Sequence, residues 1–220
     1  MHLQHLLSAF ALAAGVYAQI EDLETSKDFH LYITESSNST LVGWSIFACH
    51  VGPLSRVLCI TDDGILEHAS AFTHQHKPED DDDDEDEDDE EEGKGAIGPL
   101  LSKAYYKQGA ETKFVESMMV VGTQLWSDLA IPSLQVNDDD YSPVGFDDDD
   151  NMYLAAYGDG SHEAPADKVT PWDPSHAMYN WYACRDTHVN SYTYHAINWA
   201  LVPPPNEPGC DSVTIHRVFE

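Results

Sequence analysis

Tyr179-Asn-Trp-Tyr-Ala-Cys184, Ser191-Tyr-Thr-Tyr-His-Ala-Ile-Asn-Trp-Ala-Leu201 and Cys210-Asp-Ser-Val-Thr-Ile-His-Arg-Val-Phe219 decide the fold. Each is rich in aromatic and β-branched residues, which suit a pleated, half-buried surface, and turn residues separate them. Alternation places Tyr192, Tyr194 and Ala196 on one face of the middle segment and Ile197 and Trp199 on the other. These are the central strands of an all-β domain, on which the upstream chain packs. Val202-Pro-Pro-Pro-Asn-Glu-Pro-Gly209 joins the last two as a stiff connection with polyproline character.

Upstream, Phe29 to Ile33 alternates as a strand, and Ser36 to Thr40 turns. Leu41 to Cys49 reads as a second strand with a bulge at Gly43, and Arg56 to Ile60 as a third. Asp63-Gly64 predicts a hairpin to a fourth strand at Ile65–Phe72. Pro99 to Gly109 suits one short helix, with Pro at its start and Gly at its end, although a strand also fits. Strands are expected over Lys113–Val121, Gln124–Ser127, Leu134–Val136 and Met152–Tyr157. Frequent turns and at most one helix predict an antiparallel β-sandwich or a partly closed barrel.

Residues 1–18 read as a secretory signal, with an apolar stretch from Leu6 to Val16 and small residues before Gln19, although no Lys or Arg precedes that stretch. No other run approaches the ~18 apolar residues of a membrane span. Export to an oxidising compartment agrees with four cysteines. Three pairings exist, and Cys49–Cys59 with Cys184–Cys210 is favoured because each pair flanks a local strand unit. No Cys-x-x-Cys supports zinc. Asn38-Ser39-Thr40 is an N-glycosylation sequon in an expected turn.

The net charge is −30, with 40 acids against 10 bases. Glu79 to Glu92 is an unbroken acidic block, and 26 acids still face 10 bases without it. Fourteen like charges repel and bury no apolar surface, so 73–98 is expected to be a disordered acidic insert within a single domain, 19–220. Such a surface argues against nucleic acid and anionic lipid as partners.

At Gly43…Cys49-His50-Val51-Gly52, Asp149 to Leu154, Trp181, Cys184, Tyr192, Tyr194, Trp199, Cys210 and Val213, the chain resembles small secreted proteins of filamentous fungi carrying a domain of unknown function. The resemblance covers most of the chain after the signal, leaves out the acidic block, and implies no activity or catalytic residue.

The candidate sites each have a plainer alternative. The acidic block would gather cations such as Ca²⁺ or a basic partner, or else only keep the chain solvated. His74 and His76 beside it would hold Zn²⁺ or Cu²⁺ weakly from a mobile segment. Asp147, Asp149 and Asn151 share the opening spacing of an EF-hand loop, but Met152 and Gly158 stand where that loop needs Gly and Glu. A different calcium-binding loop stays open. Of the aromatic set Trp44, Trp126, Trp172, Trp181, Trp199, Tyr192 and Tyr194, most rings are expected to fill the core; Trp172, in a Pro-flanked loop, Tyr192 and Tyr194 are the candidates for stacking on cell-wall carbohydrate. No nucleophile-elbow, metalloprotease or phosphate-loop motif occurs, so catalysis, hydrolase chemistry included, has no constellation to rest on and no cofactor is expected. The expectation is a secreted non-catalytic binding or structural protein whose partner is carbohydrate or another protein; a cation-binding protein that uses the acidic block and a hydrolase are the two alternatives left open.

Overall fold

The computed structural model describes residues 23–52, 55–62, 71–76, 96–108, 111–123, 127–136, 141–155 and 177–220. Among them are fourteen strands, one 3-10 turn at Ser39–Leu41 and no α-helix. The strands are β1 (Glu24–Thr25), β2 (Phe29–Ser36), β3 (Ser45–Gly52), β4 (Ser55–Thr61), β5 (Phe72–His76), β6 (Ile97–Gln108) and β7 (Glu111–Thr123). Then follow β8 (Leu129–Gln135), β9 (Pro143–Phe146), β10 (Met152–Ala155), β11 (Ala177–Met178), β12 (Trp181–Val189), β13 (Tyr192–Ala200) and β14 (Cys210–Phe219).

Nine of them close a ring in the order β2-β5-β6-β7-β8-β4-β13-β12-β14, and β3 bridges β2 and β4. The architecture is therefore a closed barrel with extra strands, not a sandwich of two open sheets. Closure gives most of the wall strands a neighbour on each side, which protects their backbone hydrogen bonds. The three C-terminal segments lie side by side in the wall: β12 pairs with β13 and β14, and β14 continues onto β2. Phe29, Leu31 and Ile33 of β2, Leu58 and Ile60 of β4, Ile197 and Trp199 of β13, and Val213 and Ile215 of β14 fill the interior. Trp181 and Trp199 face each other in register, their rings 4.8 Å apart and edge to face.

A small sheet, β9-β10-β11, attaches through β6 and packs onto this core with Val144, Phe146, Met152 and Leu154. The Trp181 indole donates to the Met152 carbonyl at 2.7 Å, which satisfies a buried polar group and fixes that sheet over the barrel. Both expected disulfides are present. Cys184 and Cys210 are direct cross-strand partners on β12 and β14. Cys49 and Cys59 join the adjacent strands β3 and β4.

Several expectations need correction. Of the two readings of Pro99–Gly109, the helix fails and the strand holds: residues 99–108 belong to β6, whose ladders to β5, β7 and β9 outweigh the local Pro and Gly signals. Leu41 to Trp44 is not strand; Gly43, at φ +88°, turns the chain there instead of bulging it. β8 begins at Leu129, five residues earlier than the Leu134 expected, because Pro132 lowers the strand signal. Its edge toward β13 is paired at Leu129 and Ala130, and toward β4 from Ser133 onward, so Pro132 falls in the gap between the two partners. Both ends of the expected insert are strand: Thr73–His76 lies in β5 and Ile97–Gly98 in β6. Its centre, with the acidic block, and the expected 63–64 hairpin turn lie outside the described residues, as do Trp126 and Trp172.

Candidate functional site

β12 and β13 meet at a two-residue turn, Asn190-Ser191, with Val189 opposite Tyr192. Asn190 takes φ +56°, a left-handed conformation that Asn tolerates better than most residues, and its amide donates to the Val51 carbonyl at 3.0 Å. The Tyr194 hydroxyl donates to the His50 carbonyl at 2.7 Å. The two bonds tie the hairpin tip to the end of β3. Tyr194 also packs on an outer apolar cluster with Val51, Val57, Cys59, Ile131 and Ala196. Tyr192, on the same face, is 59% exposed, and its ring lies 6.1 Å from that of Tyr194. His188 and Thr193, joined by a 2.9 Å hydrogen bond, are cross-strand partners on the opposite face of the hairpin. This is a ring platform on an anchored hairpin, with an exposed ring beside a fixed one. It offers stacking area and the Tyr192 hydroxyl for a hydrogen bond.

A second exposed aromatic pair was not foreseen as a site. Tyr105 of β6 and Phe114 of β7 are direct cross-strand partners, 69% and 53% exposed, with ring centroids 6.1 Å apart. Lys103 lies over the Phe114 ring at 5.7 Å. The available signal was Thr112 and Phe114 at period two on β7; around Tyr105, preferring a helix for Pro99–Gly109 concealed the pairing.

The histidine pair is not in a mobile segment. His74 and His76 project from the buried face of β5, with rings stacked 5.8 Å apart. His74 Nε2 meets the Val144 carbonyl at 3.0 Å, so the ring carries its proton there. Burial pushes His74 down to about 3, helped by His76 and Arg217 and only partly opposed by the Val144 and Gly98 carbonyls. Above that pH it is neutral.

Beside it, Arg217 is almost fully buried on β14 and bonds the Asp150 carboxylate at 2.7 Å. Its guanidinium lies 4.3 Å from the Phe146 ring and 4.9 Å from that of Phe219. The sequence did carry a signal for it. Val213, Ile215 and Arg217 alternate, so Arg217 occupies an inward position.

Asp147, Asp149 and Asn151 do share one turn, between β9 and β10. Asp147 accepts from the backbone N–H groups of Asp149 and Asn151, from the Asn151 side chain and from the Tyr179 hydroxyl. Burial alone would raise this carboxyl, but these donors together hold it below the ordinary range. Burial and the Asp147 hydrogen bond push Tyr179 up to about 12. Both Asp147 oxygens thus serve the turn itself. Among the described residues, no group of three or more His, Cys, Asp or Glu is arranged to hold a metal ion.

Asn38 caps the 3-10 turn. Its side-chain oxygen accepts from the Thr40 N–H and hydroxyl, and its amide donates to Asp211 at 3.1 Å. Among the described residues no helix is long and apolar enough to cross a membrane. No family model, curated protein or solved structure matches the chain.

Proposed function

We propose that the chain is an exported, non-catalytic binding protein of the type found in small secreted fungal proteins, and that the β12–β13 hairpin presents its ligand surface. The anchored Tyr192–Tyr194 pair carries this reading: Tyr194 is fixed by its bond to His50, while Tyr192 is left open. Such a pair suits the flat face of a sugar ring, and the ligand class proposed is cell-wall polysaccharide. Tyr192→Ala removes an exposed ring with little effect on folding. Retention of the secreted full chain on insoluble chitin or β-glucan should fall severalfold with it, and Trp172→Ala tests the remaining candidate ring. Equal retention of wild type and Tyr192→Ala, or none by either, contradicts the reading. An N-glycan on Asn38 belongs to the same proposal, and a mass shift on enzymatic deglycosylation checks it.

The run Glu79 to Glu92 favours a second reading, loose capture of Ca²⁺ or another cation by clustered carboxylates. Calorimetry with Ca²⁺ tests it: heat that disappears when the block is replaced by Gly and Ser supports cation capture, and no heat from the wild type contradicts it.

A further inference from the structure

Beyond the barrel wall, β6 and β7 continue as a two-stranded ribbon. β5 pairs with β6 only at residues 100–102, β9 only at 97–99, and β8 meets β7 only from Met118 onward. Among the described residues, Lys103–Gln108 and Glu111–Glu116 pair only with each other. Their outer edges present backbone donors and acceptors, and one face carries Tyr105 and Phe114 open to water. The ribbon is held at its root. Arg56 donates to the Ser102 carbonyl at 3.1 Å, the Lys103 carbonyl at 3.1 Å and the Ser117 hydroxyl at 2.5 Å.

We infer that this ribbon is a self-association site, in which the β7 edge pairs antiparallel with β7 of a second copy about a two-fold axis at Phe114. Charge, strand register and ring alignment together choose the occupant and the edge. First, the whole chain carries −30, so two barrel bodies repel at close range. The ribbon differs: over residues 103–117 it holds Lys103, Lys107 and Lys113 against Glu111 and Glu116. At about 3.4 Å per residue, its six β6 residues reach roughly 20 Å, beyond the ~8 Å screening length of physiological salt. Contact at the ribbon therefore keeps the acidic bodies apart.

Second, a two-fold axis normal to a sheet pairs residues of equal facing. Centred on Phe114, it sets Phe114 against Phe114 of the partner subunit, Lys113 against Val115 and Thr112 against Glu116, with no like charges directly opposite. The same operation on the β6 edge, centred on Tyr105, sets Lys103 against Lys107 twice, which is destabilising. Third, β7 pairing lines up four rings across one face, Tyr105 and Phe114 from each copy, and covers the exposed aromatic surface. The contact is small, so the dimer is weak and concentration-dependent.

Sedimentation velocity of the full chain over rising concentration, at about 0.05 and 0.5 M NaCl, tests this. The expected result is a monomer–dimer equilibrium that strengthens with salt, as screening relieves body repulsion, and that weakens at least tenfold in Phe114→Lys. Phe114→Cys should form a covalent dimer under mild oxidation, and Tyr105→Cys much less of one, because the axis passes beside residue 114. Should Phe114→Lys fold poorly, the two cysteine variants still decide. A monomer at every concentration and salt, a dimer indifferent to Phe114→Lys, or preferred cross-linking through Tyr105→Cys overturns the inference.

Discussion

Arg217 and Lys103 each lie against an aromatic ring, one sealed beneath the small sheet and one on an open ribbon. Arg217 sits 4.3 Å from Phe146 and is 1% exposed, whereas Lys103 is 5.7 Å from Phe114, on a ribbon open to water. A cation over a ring contributes about 0.5–1 kcal/mol in water and about 2 or more when desolvated. Each cation also has an acidic partner, but Arg217 bonds Asp150 at 2.7 Å from a buried position, whereas Lys103 lies 3.8 Å from Asp28 with both side chains partly exposed. The same pairing of residue types therefore braces the fold in one region and leaves a surface open for contact in the other.

The largest effect is expected where a buried charge loses its counterpart. Arg217→Ala strands Asp150 beside the core and empties the space between Phe146 and Phe219; urea denaturation should show a loss of about 3–5 kcal/mol. A loss below about 1 kcal/mol would make the two cations equivalent and break the contrast. Next comes the Cys184–Cys210 bridge. Replacing both residues by Ala should cost about 2–4 kcal/mol in the same assay, mainly by freeing the unfolded chain.

Acid sharpens the comparison further. Folded His74 titrates near 3 instead of 6.5, because burial disfavours its charge. Between those values the unfolded chain binds a proton there that the folded chain does not. Stability therefore falls as pH drops from 6.5 toward 3, by at most about 1.4 kcal/mol per pH unit from this group. Denaturation midpoints measured across that window should fall less steeply for His74→Phe than for the wild type; parallel curves would place His74 in water. The smallest effect belongs to the ribbon. Phe114→Ala should change monomer stability by about 0.5 kcal/mol or less, measured at low protein concentration.

The parts of the fold that were readable rest on period-two patterns. Ile197 and Trp199 pointed one way and Tyr194 and Ala196 the other, and the structure places them in the interior and the outer cluster respectively. Cysteine spacing gave both bridges because each joins neighbouring strands. Ring closure was not readable, since it depends on β5 reaching β2 through the single pair Phe29 and Phe72. β8 was half hidden by Pro132, whose place between two partner strands no local pattern announces. His74 and His76 looked solvated only because the acidic run follows them, and long-range pairing of β5, with β6 at His74 and with β1 at His76, places them in the buried wall. Of the candidate site, the Tyr192–Tyr194 alternation was legible. The anchoring of Tyr194 by His50, 144 residues away, was not.

Residue-resolved hydrogen exchange compares the two regions most directly, because opening free energy follows packing. Amides of Trp181–Cys184, Ile197–Trp199 and Val213–Arg217 should exchange only on global unfolding. Those of Lys103–Gln108 and Glu111–Glu116 should exchange orders of magnitude faster at low protein concentration. Equal protection in wall and ribbon, or faster exchange in β12–β14, would contradict a capped barrel carrying an open aromatic arm.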